Sequence, residues 1–288
     1  MVKNSHFAGF SSHYFVTADG VKLHYIHKGT GQPLIMIHGW SGTAKDFAMN
    51  ALPLSEHFSV YILELRGHGY SDAPTYGARI SRLSADVHEF VTALSIKKAN
   101  FMGFSMGSSV LWDYLELFGE NTVEKLIFVD EAPALLANPR DSKEEILTYA
   151  GNPMDVWDLV NSFTDNGGKG SKFGTYFTRG KFIANEAVSK QLAGIPEPPK
   201  HYAFLVPLLR DHINQDWRDV FPRITVPVLM LSGDISHATT VESNEWMKRT
   251  IKNSTWIRFS EKEYGTHFLL QNSSQKADDA IVKFLTAH

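Results

Sequence analysis

Short apolar, β-rich runs alternate along the chain with stretches in which apolar side chains recur every three or four positions, the two periodicities of strand and helix. Phe15-Val16-Thr17 and Val21 to Ile26, joined across Ala18-Asp19-Gly20, predict an opening hairpin. Pro33 to Ile37, Val60 to Leu63, the run from Ala99 to Met102, Val123 to Val129, Val226 to Leu231 and Thr255 to Phe259 predict six further strands. Leu83, Val87, Phe90, Val91 and Leu94 share one helical face, Val110, Leu111, Tyr114, Leu115 and Phe118 another, and Ala277 to Leu285 predicts a closing helix. The alternation implies an α/β fold: an eight-stranded, mostly parallel sheet with helices on both faces.

That beat is lost between Ala132 and about Asp219. The segment is rich in aromatics and is broken by Asn166-Gly167-Gly168 and by Pro196, Pro198 and Pro199. A loop of that length without structure of its own is implausible in a compact domain. Residues 132–219 are therefore expected to form an inserted helical cap on a core built from residues 1–131 and 220–288. Most of its aromatics serve the cap's own core, but Trp157, Phe163 and Tyr176 are candidates for the wall of an apolar pocket beneath it.

At 288 residues the chain is long enough to bury a large core. A net charge of -3 gives no case for nucleic acid or an anionic membrane as partner. The absence of cysteine excludes disulfides, thiol catalysis and cysteine-ligated metal. Met1 to Tyr14 carries one lysine and no sustained apolar run, and no stretch has the length a membrane span needs, so a cytoplasmic location is expected. The acceptor patterns at Asn253 and Asn272 then read as chance surface sequence. The histidines are scattered, with no H-E-x-x-H or comparable ligand set, and no cofactor is implied.

The chemistry is concentrated at Gly103-Phe104-Ser105-Met106-Gly107, which follows a predicted strand and leads into a helical pattern. A serine hydroxyl is a poor nucleophile at neutral pH, and the G-x-S-x-G elbow presents it on a sharp strand-to-helix turn beside a base and oxyanion donors. Ser105 is the candidate nucleophile.

With this elbow, His38-Gly39-Trp40 after the third strand, and Arg66-Gly67-His68-Gly69, the chain resembles the α/β-hydrolase superfamily. Within it the chain is most like the carboxylesterases and cofactor-free haloperoxidases, or perhydrolases, whose elbow is commonly Gly-Phe-Ser-Met-Gly. The resemblance covers nearly everything apart from the cap and implies an acyl-serine mechanism. It assigns the oxyanion hole to the backbone N–H groups of Met106 and Trp40, whose side chains are expected to line the pocket. It places the general base at His267, after the last strand, while His38 and His68 have structural roles.

The acid departs from the pattern. After the seventh strand the family usually reads Gly-x-x-Asp, whereas here the run is Gly233-Asp234-Ile235-Ser236, with serine at the carboxylate position. Asp234, two residues earlier on the same side of an extended segment, is the preferred partner of His267. Glu131, after the sixth strand, is the alternative, because some capped relatives take their acid from there, and Asp130 is a third option.

The expected activity is hydrolysis of a carboxylic ester or lactone with a small to medium hydrophobic acyl group, such as an acyl-homoserine lactone, with peracid formation when hydrogen peroxide replaces water. Serine at the elbow, where dehalogenases and epoxide hydrolases carry aspartate, argues against alkyl-halide or epoxide displacement. Carbon-carbon bond hydrolases and hydroxynitrile lyases keep the serine and stay open, as does a non-catalytic small-ligand receptor that retains the triad.

Overall fold

The structure is a computed structural model and describes residues 5–136, 140–142, 144–145 and 184–287. Eight strands form one sheet: β1 (Ser11–Val16), β2 (Lys22–Lys28), β3 (Pro33–Ile37), β4 (Ser59–Leu63), β5 (Ala99–Phe104), β6 (Val123–Val129), β7 (Val228–Gly233) and β8 (Ser254–Phe259). Their spatial order is β1-β2-β4-β3-β5-β6-β7-β8. The pairs β1/β2 and β2/β4 are antiparallel and every other pair is parallel. The described helices are α1 (Ala51–Leu54), α2 (Ile80–Ala93), α3 (Met106–Phe118), α4 (Glu186–Ala193), α5 (Tyr202–Ile213), α6 (Val241–Thr250), α7 (Leu269–Asn272) and α8 (Ser274–Thr286). The sheet is the one the hydrophobic pattern predicts, with strand ends moved by no more than four residues and β3 and β6 unmoved.

The central strands read as unbroken apolar runs because both faces of the sheet are covered. On β3, Ile35 and Ile37 face a core layer that includes Phe90 of α2 and Val110 of α3. Leu34 and Met36 face the opposite layer, with Leu54 of α1 and Ile281 of α8. β1, at the sheet edge, is mostly exposed.

The turn after β4 is held by charge. The guanidinium of Arg66, fully buried, donates through Nε and Nη2 to Asp86 at 2.5 and 2.6 Å and through Nη1 and Nη2 to Asp19 at 3.0 and 3.1 Å. These contacts hold the Asp19 carboxyl well below the usual carboxylate range. Buried Glu64 accepts the amides of Ala44 at 3.1 Å and Tyr70 at 2.7 Å. Through them it joins the loop after β3 to the turn after β4.

Of the expected cap, residues 137–139, 143 and 146–183 lie outside the described residues. The described part contains α4 and α5. Its root is closed where Trp217 N–H donates to Pro133 O at 2.9 Å, beside an isolated bridge between Ala134 and Asp216. Asp211 on α5 accepts the Ile80 amide at 2.7 Å at the start of α2, and the Trp40 indole donates to Leu205 O at 2.8 Å. α5 thereby lies across the carboxyl ends of the strands, over Ser105.

Candidate active site

Ser105 joins β5 to α3 with φ 52° and ψ -130°, a left-handed conformation that costs roughly 1 to 3 kcal/mol for a residue with a Cβ. The flanking glycines let the surroundings impose it. A Cβ on Gly103 would stand 2.5 Å from the Gly107 carbonyl and the Ser108 amide, and one on Gly107 would stand 2.2 Å from Ile37 O. Side chains at either position would push the first turn of α3 away from β3 and β5, so the tight elbow requires both glycines.

His267 lies in the loop after β8, which Ile235 N–H secures by donating to Gly265 O at 3.0 Å. Its Nε2 is 3.0 Å from Ser105 Oγ and its Nδ1 is 2.6 Å from Asp130 Oδ2. An ionised carboxylate only accepts, so Nδ1 carries the proton and Nε2 is left to accept from the serine hydroxyl. Asp130 follows β6 with φ 53°, and its Oδ1 accepts the Gly233 amide at 3.0 Å. Ser236 donates its hydroxyl to Oδ2, the oxygen that meets His267. Serine, histidine and aspartate thus form one hydrogen-bonded run, with the aspartate oriented from both sides by the end of β7.

The run opens on a cavity of about 410 Å³ whose wall combines Trp40, Leu135, Leu209 and Ile213 with the polar side chains of Glu131 and His212. Lys45 and Lys200 stand on the rim, the first ion-paired with Glu197 at 2.6 Å and the second bonded to Ser41 O. Burial pushes the Asp46 carboxyl up to about 7, with Lys200 opposing, and it brings His237, whose ring centroid is 4.8 Å from that of His267, down to about 3. Among the described residues no group of three or more histidine, aspartate and glutamate side chains is placed to hold a metal ion.

A family model for the alpha/beta hydrolase fold matches residues 32–264. The chain belongs to the α/β-hydrolase fold family. A putative non-heme chloroperoxidase of Synechocystis is 27% identical over 246 residues, covering 81% of this chain and 85% of the relative. Among solved structures, a bromoperoxidase from Bacillus anthracis superposes with a TM-score of 0.79 at 20% identity, covering 96% of this chain and all of that one. An esterase from Exiguobacterium antarcticum does so with a TM-score of 0.75 at 23% identity, covering 95% and 99%.

In this α/β hydrolase the structure brings Ser105 and His267 together, but Asp234 does not join them. Arg258 Nε donates to Asp234 Oδ1 at 2.8 Å, on the side of β7 that faces β8. The carboxylate that reaches His267 is Asp130, because the end of β6 lies between those of β5 and β7. Glu131 points into the cavity, where its Oε1 accepts the Ala132 amide at 3.1 Å. Burial raises its carboxyl to about 8; the Asp130 charge adds to this, and the Ala132 amide and Ser105 hydroxyl oppose it.

Trp40 lines the cavity, whereas the Met106 side chain is fully buried in the core beside Val110, one turn further along α3, and is not among the described lining residues. Trp157, Phe163 and Tyr176 lie outside the described residues. His38 donates from Nδ1 to Gly39 O at 2.8 Å and accepts the Leu65 amide on Nε2 at 3.1 Å. His68 does the same with Arg66 O at 2.9 Å and the Ser41 amide at 3.1 Å. Burial lowers both, His38 to about 4, so they are neutral struts beneath the loop after β3.

Three site residues escaped the sequence reading. Ser236 left a signal, since it stands where the family usually carries its acid. His212 and Asp46 left none, because only the tertiary fold brings α5 and the Asp46 side chain to the cavity on which Ser105 opens.

Proposed function

We propose that this α/β hydrolase is a serine hydrolase of carboxylic esters or lactones with small to medium acyl groups. Ser105 is its nucleophile, His267 its general base and Asp130 the acid that orients the base. The observation that carries the reading is the continuous Ser105–His267–Asp130 hydrogen-bonded run opening on the 410 Å³ cavity. Ser105 Oγ attacks the carbonyl carbon while its proton passes to His267 Nε2, and Asp130 stabilises the resulting imidazolium through Nδ1–H. The backbone N–H groups of Met106 and Trp40 hold the oxyanion, each worth about 3 kcal/mol of barrier, with the N-terminal dipole of α3 behind Met106. Collapse expels the alcohol, which takes the proton back from Nε2, and water repeats the sequence to release the acid. Hydrogen peroxide in place of water yields a peracid from the same acyl-enzyme, in keeping with the haloperoxidase names among the relatives.

The test is hydrolysis of p-nitrophenyl acetate and butyrate and of a homoserine-lactone panel. Wild-type turnover should fall at least 1,000-fold in Ser105→Ala, a loss of the order seen when a triad nucleophile is removed. An inactive wild type, or turnover surviving Ser105→Ala, would overturn the reading and favour carbon-carbon cleavage, cyanohydrin chemistry or ligand sensing.

A further inference from the structure

The cavity wall carries two polar side chains, Glu131 and His212, to which the acyl-transfer steps above assign no role. His212, in the last turn of α5, is 5% exposed. Its Nδ1 is buried without a hydrogen-bond partner among the described residues, and its Nε2 stops 3.8 Å from Glu131 Oε2, beyond hydrogen-bonding distance. A buried ring left in that state costs about 1 to 3 kcal/mol relative to one with its bonds made, and apolar Leu135, Leu209 and Ile213 stand around it. An aliphatic side chain would fill the same space without that cost. A polar ring there calls for an explanation, and a guest group bonded to Nε2 supplies the partner that this nitrogen lacks among the described residues, while Nδ1 gains none.

The 3.8 Å separation suits one bridging atom. A hydroxyl oxygen about 2.8 Å from both Glu131 Oε2 and His212 Nε2 forms the apex of an unstrained triangle, able to donate to one and accept from the other. We infer that Glu131 and His212 form a specificity subsite for a neutral hydroxyl group carried a few bonds from the scissile carbonyl. This rests on the ester hydrolase reading above and names its substrate class.

The electrostatics of the pair disfavour a charged guest between its two members. Burial holds the imidazole neutral, down to about 3, and keeps the Glu131 carboxyl protonated at neutral pH. Neither member of the pair therefore offers a counter-ion, and ionised Asp130 adjoins Glu131. A substrate carboxylate would lose its water there with no compensating charge.

The experiment compares kcat/KM for p-nitrophenyl butyrate, its 3-hydroxybutyrate analogue and the hemisuccinate, in wild type, His212→Leu and His212→Asn. The hydroxy ester should lead the plain ester by about tenfold in wild type, with the hemisuccinate last. His212→Leu should bring the hydroxy-to-plain ratio to about one, and His212→Asn, which restores a donor and an acceptor, should recover part of it. A wild-type ratio near one, a preferred hemisuccinate, or a ratio that His212→Leu leaves intact overturns the inference while the hydrolase reading stands. Titration of ethyl 3-hydroxybutyrate and ethyl butyrate into Ser105→Ala, with and without His212→Leu, separates the two readings. Selective binding of the hydroxy ester that depends on His212 supports the subsite even if no ester is turned over. Equal binding of both esters overturns it.

Discussion

The Ser236 hydroxyl is hydrogen-bonded to the Asp130 carboxylate. Ser236 stands where the family usually carries its acid. The turn after β7 therefore supplies a donor to a carboxylate instead of a carboxylate, and the carboxylate that meets His267 stands at the end of the neighbouring strand, β6. Asp130 is held by the Gly233 amide as well, so one group from β7 and one from the turn after it point its Oδ2 at His267.

Asp130→Asn should lower kcat on p-nitrophenyl butyrate by about 1,000- to 10,000-fold, because an amide placed against Nδ1 favours the wrong imidazole tautomer. Asp234→Asn should stay within about twofold of wild type, since it removes only a half-exposed pair with Arg258, worth less than about 1 kcal/mol. Steady-state kinetics of the two variants, side by side, assign the acid, and the opposite ranking would return the role to Asp234.

Ser236→Ala should cost about tenfold in kcat, the equivalent of one hydrogen bond to a charged group, and leave KM close to wild type. The adjacency of the two strand ends further predicts that the double variant Asp130→Asn, Ser236→Asp regains at least tenfold of the activity lost in Asp130→Asn alone. No regain would mean that a carboxylate at position 236 cannot meet Nδ1 in this backbone.

Alkaline pH should slow the enzyme through Glu131. Its carboxyl, raised to about 8, is neutral below that pH and ionises above it, adding a negative charge beside Asp130 and Ser105. His212, which also faces it, stays neutral through this range. A pH profile of kcat/KM should fall as pH rises through about 8 in wild type and lose that limb in Glu131→Gln.

Stability should respond to Asp278, on α8. Burial raises its carboxyl from 3.8 to about 7 against the Asn50 amide, which donates to Oδ1 at 2.8 Å, while Asn50 Oδ1 has no partner among the described residues. The native state thus binds a proton more tightly than the unfolded chain, so stability is lost as pH rises from about 4 to about 7. Asp278→Asn removes that loss and offers a donor to Asn50 Oδ1. At pH 8 it should raise Tm by about 2 °C or more, in line with about 1 kcal/mol in a chain of this size, and at pH 4.5 the gain should shrink. Calorimetry at the two pH values checks both the sign and the trend.

The elbow and the eight strands were legible along the chain because each is a local property, and the family resemblance pointed to His267. Gly103 and Gly107 flank a serine at fixed spacing between a strand pattern and a helix pattern, and His267 follows the last strand. The carboxylate partner of His267 was not legible. Asp130, Glu131 and Asp234 all follow strands that end beside the same loop, and sequence spacing cannot say which side chain turns toward it. The register of β5, β6 and β7 decided that, with the left-handed turn at Asp130 directing one carboxylate inward and Arg258 on β8 drawing the other away. The Glu131–His212 pair was equally out of reach, because residues 81 positions apart meet only once α5 folds back over the strand ends. Local pattern determined that a serine is presented at a strand-to-helix turn; the packing of distant strand ends determined which carboxylate stands behind it and which polar groups face it.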